Sequence, residues 1–176
     1  MKFSDVMKKI RNVAEWFLIY SVCGWLYEVV WWMMIELNRG FVNRGFLVGP
    51  WLPIYGFGTI LIILLIKKLK IKNPWLVFAV GLVTATAVEL AGSYICDMFL
   101  GKRLWNYTGY FLNFEGRIAL KPDLYFALLI LLAVFVIQPN IEKLQKRLEK
   151  SVIRNIVSCM IFAAFLADAV YCLFIR

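Results

Sequence analysis

The chain has 176 residues, 62% of them hydrophobic and 18% charged, whereas soluble domains are roughly 45–50% apolar. That excludes an ordinary water-soluble globule, and the net charge of +9 reads as membrane topology rather than a nucleic-acid patch, so no nucleic-acid partner is expected. The absence of histidine removes His-ligated zinc, CxxCH haem attachment and Ser-His-Asp catalysis. No metal and no cofactor are expected.

A membrane-spanning helix needs about 20 mostly apolar residues to cross roughly 30 Å of hydrocarbon. Five stretches come close to that length: 13–35, 51–66, 75–100, 124–137 and 152–175. The first is too long for a cleavable signal peptide and ends in ELNRG, so it is read as retained. The second and fourth are short. The fourth is preceded by Lys121-Pro122-Asp123, which reads as an interruption. Two flanking segments are amphipathic. Phe3, Val6, Met7 and Ile10 share one helical face, and Ile141, Leu144, Leu148 and Val152 share another. Such segments fit an interfacial helix or an extension of a spanning helix equally well. Cys23, Cys96, Cys159 and Cys172 lie within apolar runs, form no CxxC pair, and read as small buried hydrophobes. The expected fold class is all-α. It is a polytopic integral membrane protein of about five transmembrane helices, a single membrane domain over 1–176, with a re-entrant or membrane-packed outer loop.

Orientation follows from lysine and arginine, which are enriched in cytoplasmic loops. Lys2, Lys8, Lys9 and Arg11 precede the first helix. Lys67, Lys68, Lys70 and Lys72 separate the second and third. Lys143, Lys146, Arg147, Lys150 and Arg154 surround the start of the last. The opposite side carries fewer: Arg39, Arg44, Lys102, Arg103, Arg117, Lys121 and Arg176. This places the protein in the cell membrane with a cytoplasmic N-terminus and an external C-terminus. The two connections richest in glycine and polar groups, NRGFVNRGFLVGP (38–50) and KRLWNYTGYFLNFEGR (102–117), then both fall outside. Their interleaved aromatics fit either an interfacial belt or loops that pack back over the helices. Gly45, Gly49-Pro50 and Gly56-Phe57-Gly58 predict a broken or re-entrant backbone between about 41 and 53.

Glu28 lies seven residues before the end of the first helix, roughly 10 Å below the outer surface at 1.5 Å per residue, and Glu89 roughly 16 Å deep. Charges at such depth face the bundle interior and take partners. Arg44 and Arg117 are the candidates, since a guanidinium fork can grip a carboxylate. Glu28 is therefore expected to meet Arg44 or Arg117 in a shared buried cluster with Glu89, completed by Asn43 and Asn113. That cluster is either a ligand site or a structural ion pair. Asp168, with no motif around it, leans structural. Glu15 and Glu36, near helix ends, read as solvated.

At these residues the chain resembles the CmpB-like, "type IV" family of ABC-transporter permeases, and through it a small eukaryotic transmembrane family. The matching pieces are Gly24-Trp25-Leu26-Tyr27-Glu28, then Phe41 to Leu47 with Gly49-Pro50, and Pro53-Ile54-Tyr55-Gly56-Phe57-Gly58. Glu89 with Ser93-Tyr94, Trp105 with Tyr107, and Asn113 with Gly116-Arg117-Ile118 follow. The resemblance adds Tyr27, Tyr55, Trp105, Asn106 and Tyr107 to the candidate site. One departure is Asn106, where the family pattern favours Asp. No GxxxxGK[ST] loop occurs, so any ATPase would be a separate subunit docked on the basic inner loops. A chain this short also implies a homo-oligomer among membrane lipids. Three functions remain open. The first is a transporter or permease component with an outward-facing polar site for a small ion or polar solute. The second is a membrane enzyme or lipid-binding protein acting on a phosphate-containing lipid. The third is a non-transporting assembly partner.

Overall fold

The computed structural model describes residues 3–35 and 40–175. Lys2, Arg39 and Arg176, which enter the charge reading above, and Glu36 and Asn38, lie outside the described residues. In chain order the elements are α1 Phe3–Ile35, α2 Pro53–Leu69, α3 Pro74–Leu100, α4 Leu120–Leu132, a π-helical turn Ala133–Ile137, α5 Gln138–Arg147 and α6 Val152–Phe174. Among the described residues there is no β-strand, only an isolated bridge between Phe114 and Ile118. Four stretches are long and apolar enough to cross a membrane: Asp5–Met34, Pro74–Leu100, Leu120–Arg147 and Val152–Phe174. The chain is thus an all-α polytopic membrane protein. α2 has 17 residues, roughly 25 Å at 1.5 Å per residue, short of the hydrocarbon thickness.

Local chemistry explains the boundaries. The side chain of Asn73 accepts from Trp75 N at 2.9 Å, Pro74 follows it, and α3 stops at Gly101, whose φ of 62° is left-handed. Ser151 caps α6 by accepting from Arg154 N. The fourth helix begins earlier than its sequence suggests, at Leu120 rather than Leu124. Pro122 lies in the first turn, where a missing N–H leaves no intrahelical bond unmade, so Lys-Pro-Asp opens the helix instead of interrupting it. The π turn also has a consequence. Asp123, Ala127, Ile130, Ala133 and Gln138 are all buried, and the extra residue in the step from Ala133 to Gln138 keeps Gln138 on the buried side. The first amphipathic stretch is part of a longer helix, with Val6, Met7 and Ile10 on α1. The second is not one face, because Ile141 and Leu144 lie on α5, which continues α4 and ends at Arg147, while Leu148 lies in the turn that follows and Val152 opens α6.

The chain forms two compact units. The first, Met1–Phe57 with Glu142–Arg176, packs α1 against α6 under the non-helical loop 40–52. No helix runs through Gly45, whose φ is +96°, a conformation that costs glycine little. Leu47 is buried and Leu52 N donates to Ser21 O of α1 at 3.0 Å, so this loop packs over the helices. The second unit, Gly58–Ile141, packs α3 against α4, closed at one end by an apolar cluster of Ile62, Ile66, Val77 and Ile130.

Candidate functional site

In the second unit, Thr86, Glu89, Ser93 and Asp97 follow the i, i+3, i+7, i+11 spacing that places residues on one helix face. Along α3 this face extends roughly 16 Å. Glu89 and Ser93 are buried at 5% and 2% exposure, and each member meets a polar partner. Asp97 accepts from Arg117 Nη2 at 2.5 Å and lies 3.6 Å from Arg103. Ser93 Oγ accepts from Arg117 Nη1 at 2.8 Å. Glu89 Oε1 accepts from the Tyr107 hydroxyl at 2.7 Å. Thr86 Oγ1 lies 2.9 Å from Asp123 Oδ2. Asp123, on the first turn of α4, is 5% exposed.

The segment 101–119 is folded so that Tyr107 and Arg117 face α3. Trp105 Nε1 donates to Arg117 O at 2.8 Å, Tyr107 N donates to Gly116 O at 2.7 Å, and Arg103 Nη1 donates to Glu115 O at 2.8 Å. Arg117 is 6% exposed, and its Nε reaches Glu115 at 3.2 Å. Its guanidinium lies 4.0 Å over the Tyr94 ring, a cation–π contact. Asp97 above all, then Glu115, raises its pKa. The Tyr94 hydroxyl, then Arg117, holds the Glu115 carboxyl below its ordinary value.

In the first unit, the Tyr55 hydroxyl donates to Glu28 Oε1 at 2.6 Å, and Arg44 Nε lies 3.8 Å from Glu28 Oε2. The Arg44 guanidinium sits 4.6 Å over the Trp32 ring. Gly24, one turn before Glu28, makes this possible. A Cβ there would stand 2.2 Å from Tyr55 Cγ, so only glycine lets the Tyr55 ring cross α1 to reach the carboxylate. The Tyr27 ring lies 6.3 Å from that of Tyr55. Asp168 accepts from Val48 N at 3.2 Å, Gly49 N at 2.8 Å and Trp51 Nε1 at 3.0 Å. Its carboxylate therefore ties the 40–52 loop to α6, in keeping with a structural role.

Of the expected cluster, Glu28, Arg44 and Tyr55 come together in the first unit, and Glu89 with Tyr107, and Arg117 with Ser93 and Asp97, in the second. The two asparagines are placed otherwise than expected, and the reason is local. Asn43 accepts from Trp25 Nε1 at 2.6 Å and donates to Val48 O at 2.7 Å. Asn113 donates to Tyr110 O at 2.9 Å and accepts from Gly116 N at 3.1 Å. Both satisfy the backbone of their own loops, as short amides do in turns. Asn106 does the same: its Oδ1 accepts from Thr108 N at 2.9 Å and from the Thr108 hydroxyl at 2.7 Å. Both bonds need only an acceptor, which Asp offers as well as Asn.

Sequence reasoning passed over Thr86 and Asp123. The α3 spacing was a usable signal for Thr86; Asp123 was hidden by Pro122. Glu15 is a second correction. It is not solvated: its side chain is 12% exposed and ion-paired with Arg154 of α6 at 2.5 Å.

No curated protein and no solved structure matches the chain. A family model described as "Putative ABC-transporter type IV" matches residues 15–173. That span holds Glu28 with Tyr55 and the whole polar face of α3, and the chain belongs to this family.

Proposed function

We propose that the protein is a permease component whose ligand is a small cation, the proton included, and that the α3–α4 face of the second unit holds it. The observation that carries this reading is the charge balance of that face. Glu89, Asp97, Glu115 and Asp123 stand against Arg103 and Arg117, and both arginines are engaged by Asp97 or by Glu115. Buried carboxylates need compensation by charge or by a proton. The apolar cluster of Ile62, Ile66, Val77 and Ile130 is suited to stopping leakage at the far end of the two helices. A clamp on a phosphate-bearing lipid is less well supported, because Arg117 gives its three nitrogens to Glu115, Ser93 and Asp97.

In this reading the protein resides in the cell membrane with its N-terminus in the cytoplasm, as a homo-oligomer, with any ATPase supplied as a separate subunit. The test is flux in vesicles reconstituted with the purified full chain. Gradients of H⁺, Na⁺ and K⁺ are imposed in turn and the internal ion is followed by dye. One of these ions should move faster than in empty vesicles, and the excess should fall at least tenfold in Glu89→Gln and in Asp123→Asn. Wild-type vesicles indistinguishable from empty ones for all three ions would overturn the proposal.

A further inference from the structure

Thr86 Oγ1 has two acceptors at the same distance. Leu82 O, one turn back on α3, is 2.9 Å away, and Asp123 Oδ2 is also 2.9 Å away. A hydroxyl has one hydrogen to donate and lone pairs to accept. A single hydrogen shared between two acceptors makes two weakened bonds. Both contacts are full hydrogen bonds when Asp123 supplies the second hydrogen, its carboxyl O–H donating to Thr86 while Thr86 donates to Leu82 O. The other oxygen, Oδ1, is buried and has no hydrogen-bond partner among the described residues. An orphaned oxygen costs less on a neutral acid than on a carboxylate, because desolvating a charge is the larger penalty.

We propose that Asp123 and Thr86 form a proton-exchange site, with Asp123 as the proton carrier and Thr86 as the group that accommodates both of its states. This rests on the cation reading above and names the ion. Loaded, the proton is on Asp123 and the Thr86 hydrogen points at Leu82 O. On release, Asp123 gives H⁺ to water and becomes a carboxylate. The Thr86 hydroxyl then turns and donates its hydrogen to Oδ2, a charge-assisted bond. Leu82 O loses only a supplementary bond, since it is a carbonyl inside the α3 ladder. Oδ2 and Thr86 are paired in each state by rotating one hydroxyl, with no movement of either helix, while the buried Oδ1 favours the loaded state. Ionisable groups on the elements that flank the site include Glu89 on α3, Tyr107 and Arg117 in the 101–119 segment, and Lys121 and Tyr125 on α4 itself. Glu89 is held by Tyr107 and Arg117 by Asp97 and Glu115.

The test is pH-difference infrared spectroscopy of the purified full chain, read in the carbonyl-stretch region of protonated carboxyls. A band present at low pH and lost at high pH should vanish in Asp123→Asn and persist in Glu89→Gln. In Thr86→Val, which removes the hydroxyl but keeps the shape, it should move to higher frequency. In Thr86→Ser it should stay near the wild-type position. Spectra unchanged by Asp123→Asn at every pH overturn the assignment, and a band unmoved in Thr86→Val overturns the role of Thr86. If D123N does not fold, the Thr86→Val shift decides alone, because that variant keeps the carboxyl. The measurement needs no flux. A band with this behaviour in a protein that moves no ion refutes the permease reading alone, and flux without the band refutes the proton assignment alone.

Discussion

Arg154 holds Glu15 through two nitrogens, Nε to Oε1 at 3.0 Å and Nη2 to Oε2 at 2.5 Å, so α6 and α1 share one buried ion pair. The pair is fully dressed. Ser158 donates to Glu15 at 2.7 Å, Gln145 donates to it at 2.8 Å, and Arg154 Nη1 donates to Gln145 O at 2.7 Å. Trp16 Nε1 donates to Gln145 Oε1 at 2.9 Å. Removing one member of a buried pair strands the other, at about 3–5 kcal/mol. Arg154→Ala should therefore lower the unfolding temperature in detergent strongly. Replacing both with methionine should cost less than Arg154→Ala alone, because no charge is stranded. A double variant no more stable than the single would show that the pair is not what joins these helices.

Gly24 and Glu28 act through Tyr55, and that dependence can be measured. Gly24→Ala puts a methyl group into the Tyr55 ring, an overpacking that costs about 1–3 kcal/mol. It should also uncouple the hydroxyl from the carboxylate. In a double-mutant cycle, Tyr55→Phe and Glu28→Gln should be non-additive in the wild-type background and additive once Gly24→Ala is present. Additivity in both backgrounds would mean that the 2.6 Å contact contributes nothing to stability.

How much of this was readable beforehand depends on whether a residue's partner is local. The membrane class, the all-α character and the non-helical loop before α2 were legible, because hydropathy and glycine placement are properties of short windows. Glu28 could be picked out because a carboxylate in an apolar run has to be explained. Glu15 could not: its partner lies 139 residues away, and a glutamate near a helix end looks solvated until α6 is packed beside it. Asn43 and Asn113 were over-read, since an amide in a glycine-rich loop serves that loop first. Asp123 was under-read, since its neighbour Pro122 suggested a break where the first turn of a helix begins.

The carboxyl of Glu115 sits below its ordinary value of 4.5, chiefly through the Tyr94 hydroxyl and next through Arg117. A carboxyl whose folded pKa is lower than its unfolded one adds stability above the unfolded pKa. That stability disappears as the pH falls through the folded one. Wild type should therefore exceed Tyr94→Phe in unfolding temperature at neutral pH. The gap should close as the pH drops below about 4.5, the ordinary value for this carboxyl. Glu115 is half-exposed, so added salt should shrink the gap as well. A gap that is constant with pH would assign the Tyr94 effect to its ring over Arg117 instead of its hydroxyl.

The side on which each terminus lies turns on α2. Four helices are long enough to span, and four spans would leave both termini on one side. The lysine and arginine distribution, however, expects the N-terminus in the cytoplasm and the C-terminus outside, which requires α2 to cross as a fifth. Its 17 residues end in Lys67 and Lys68, whose long side chains can carry their charges out to the interface. Its first turn is preceded by Trp51 and Leu52, which add apolar length without helix. The bilayer thins or the helix stays upright at a cost of fractions of a kcal/mol per Å of mismatch. Accessibility labelling of an added cysteine after Arg176 and of another before Lys2 should therefore report opposite sides, in a background with the four native cysteines replaced. Labelling at 72 should agree with the N-terminus. Termini on the same side, with 72 on the opposite side, would mean that α2 and the loop before it form a re-entrant hairpin that enters and leaves by one leaflet.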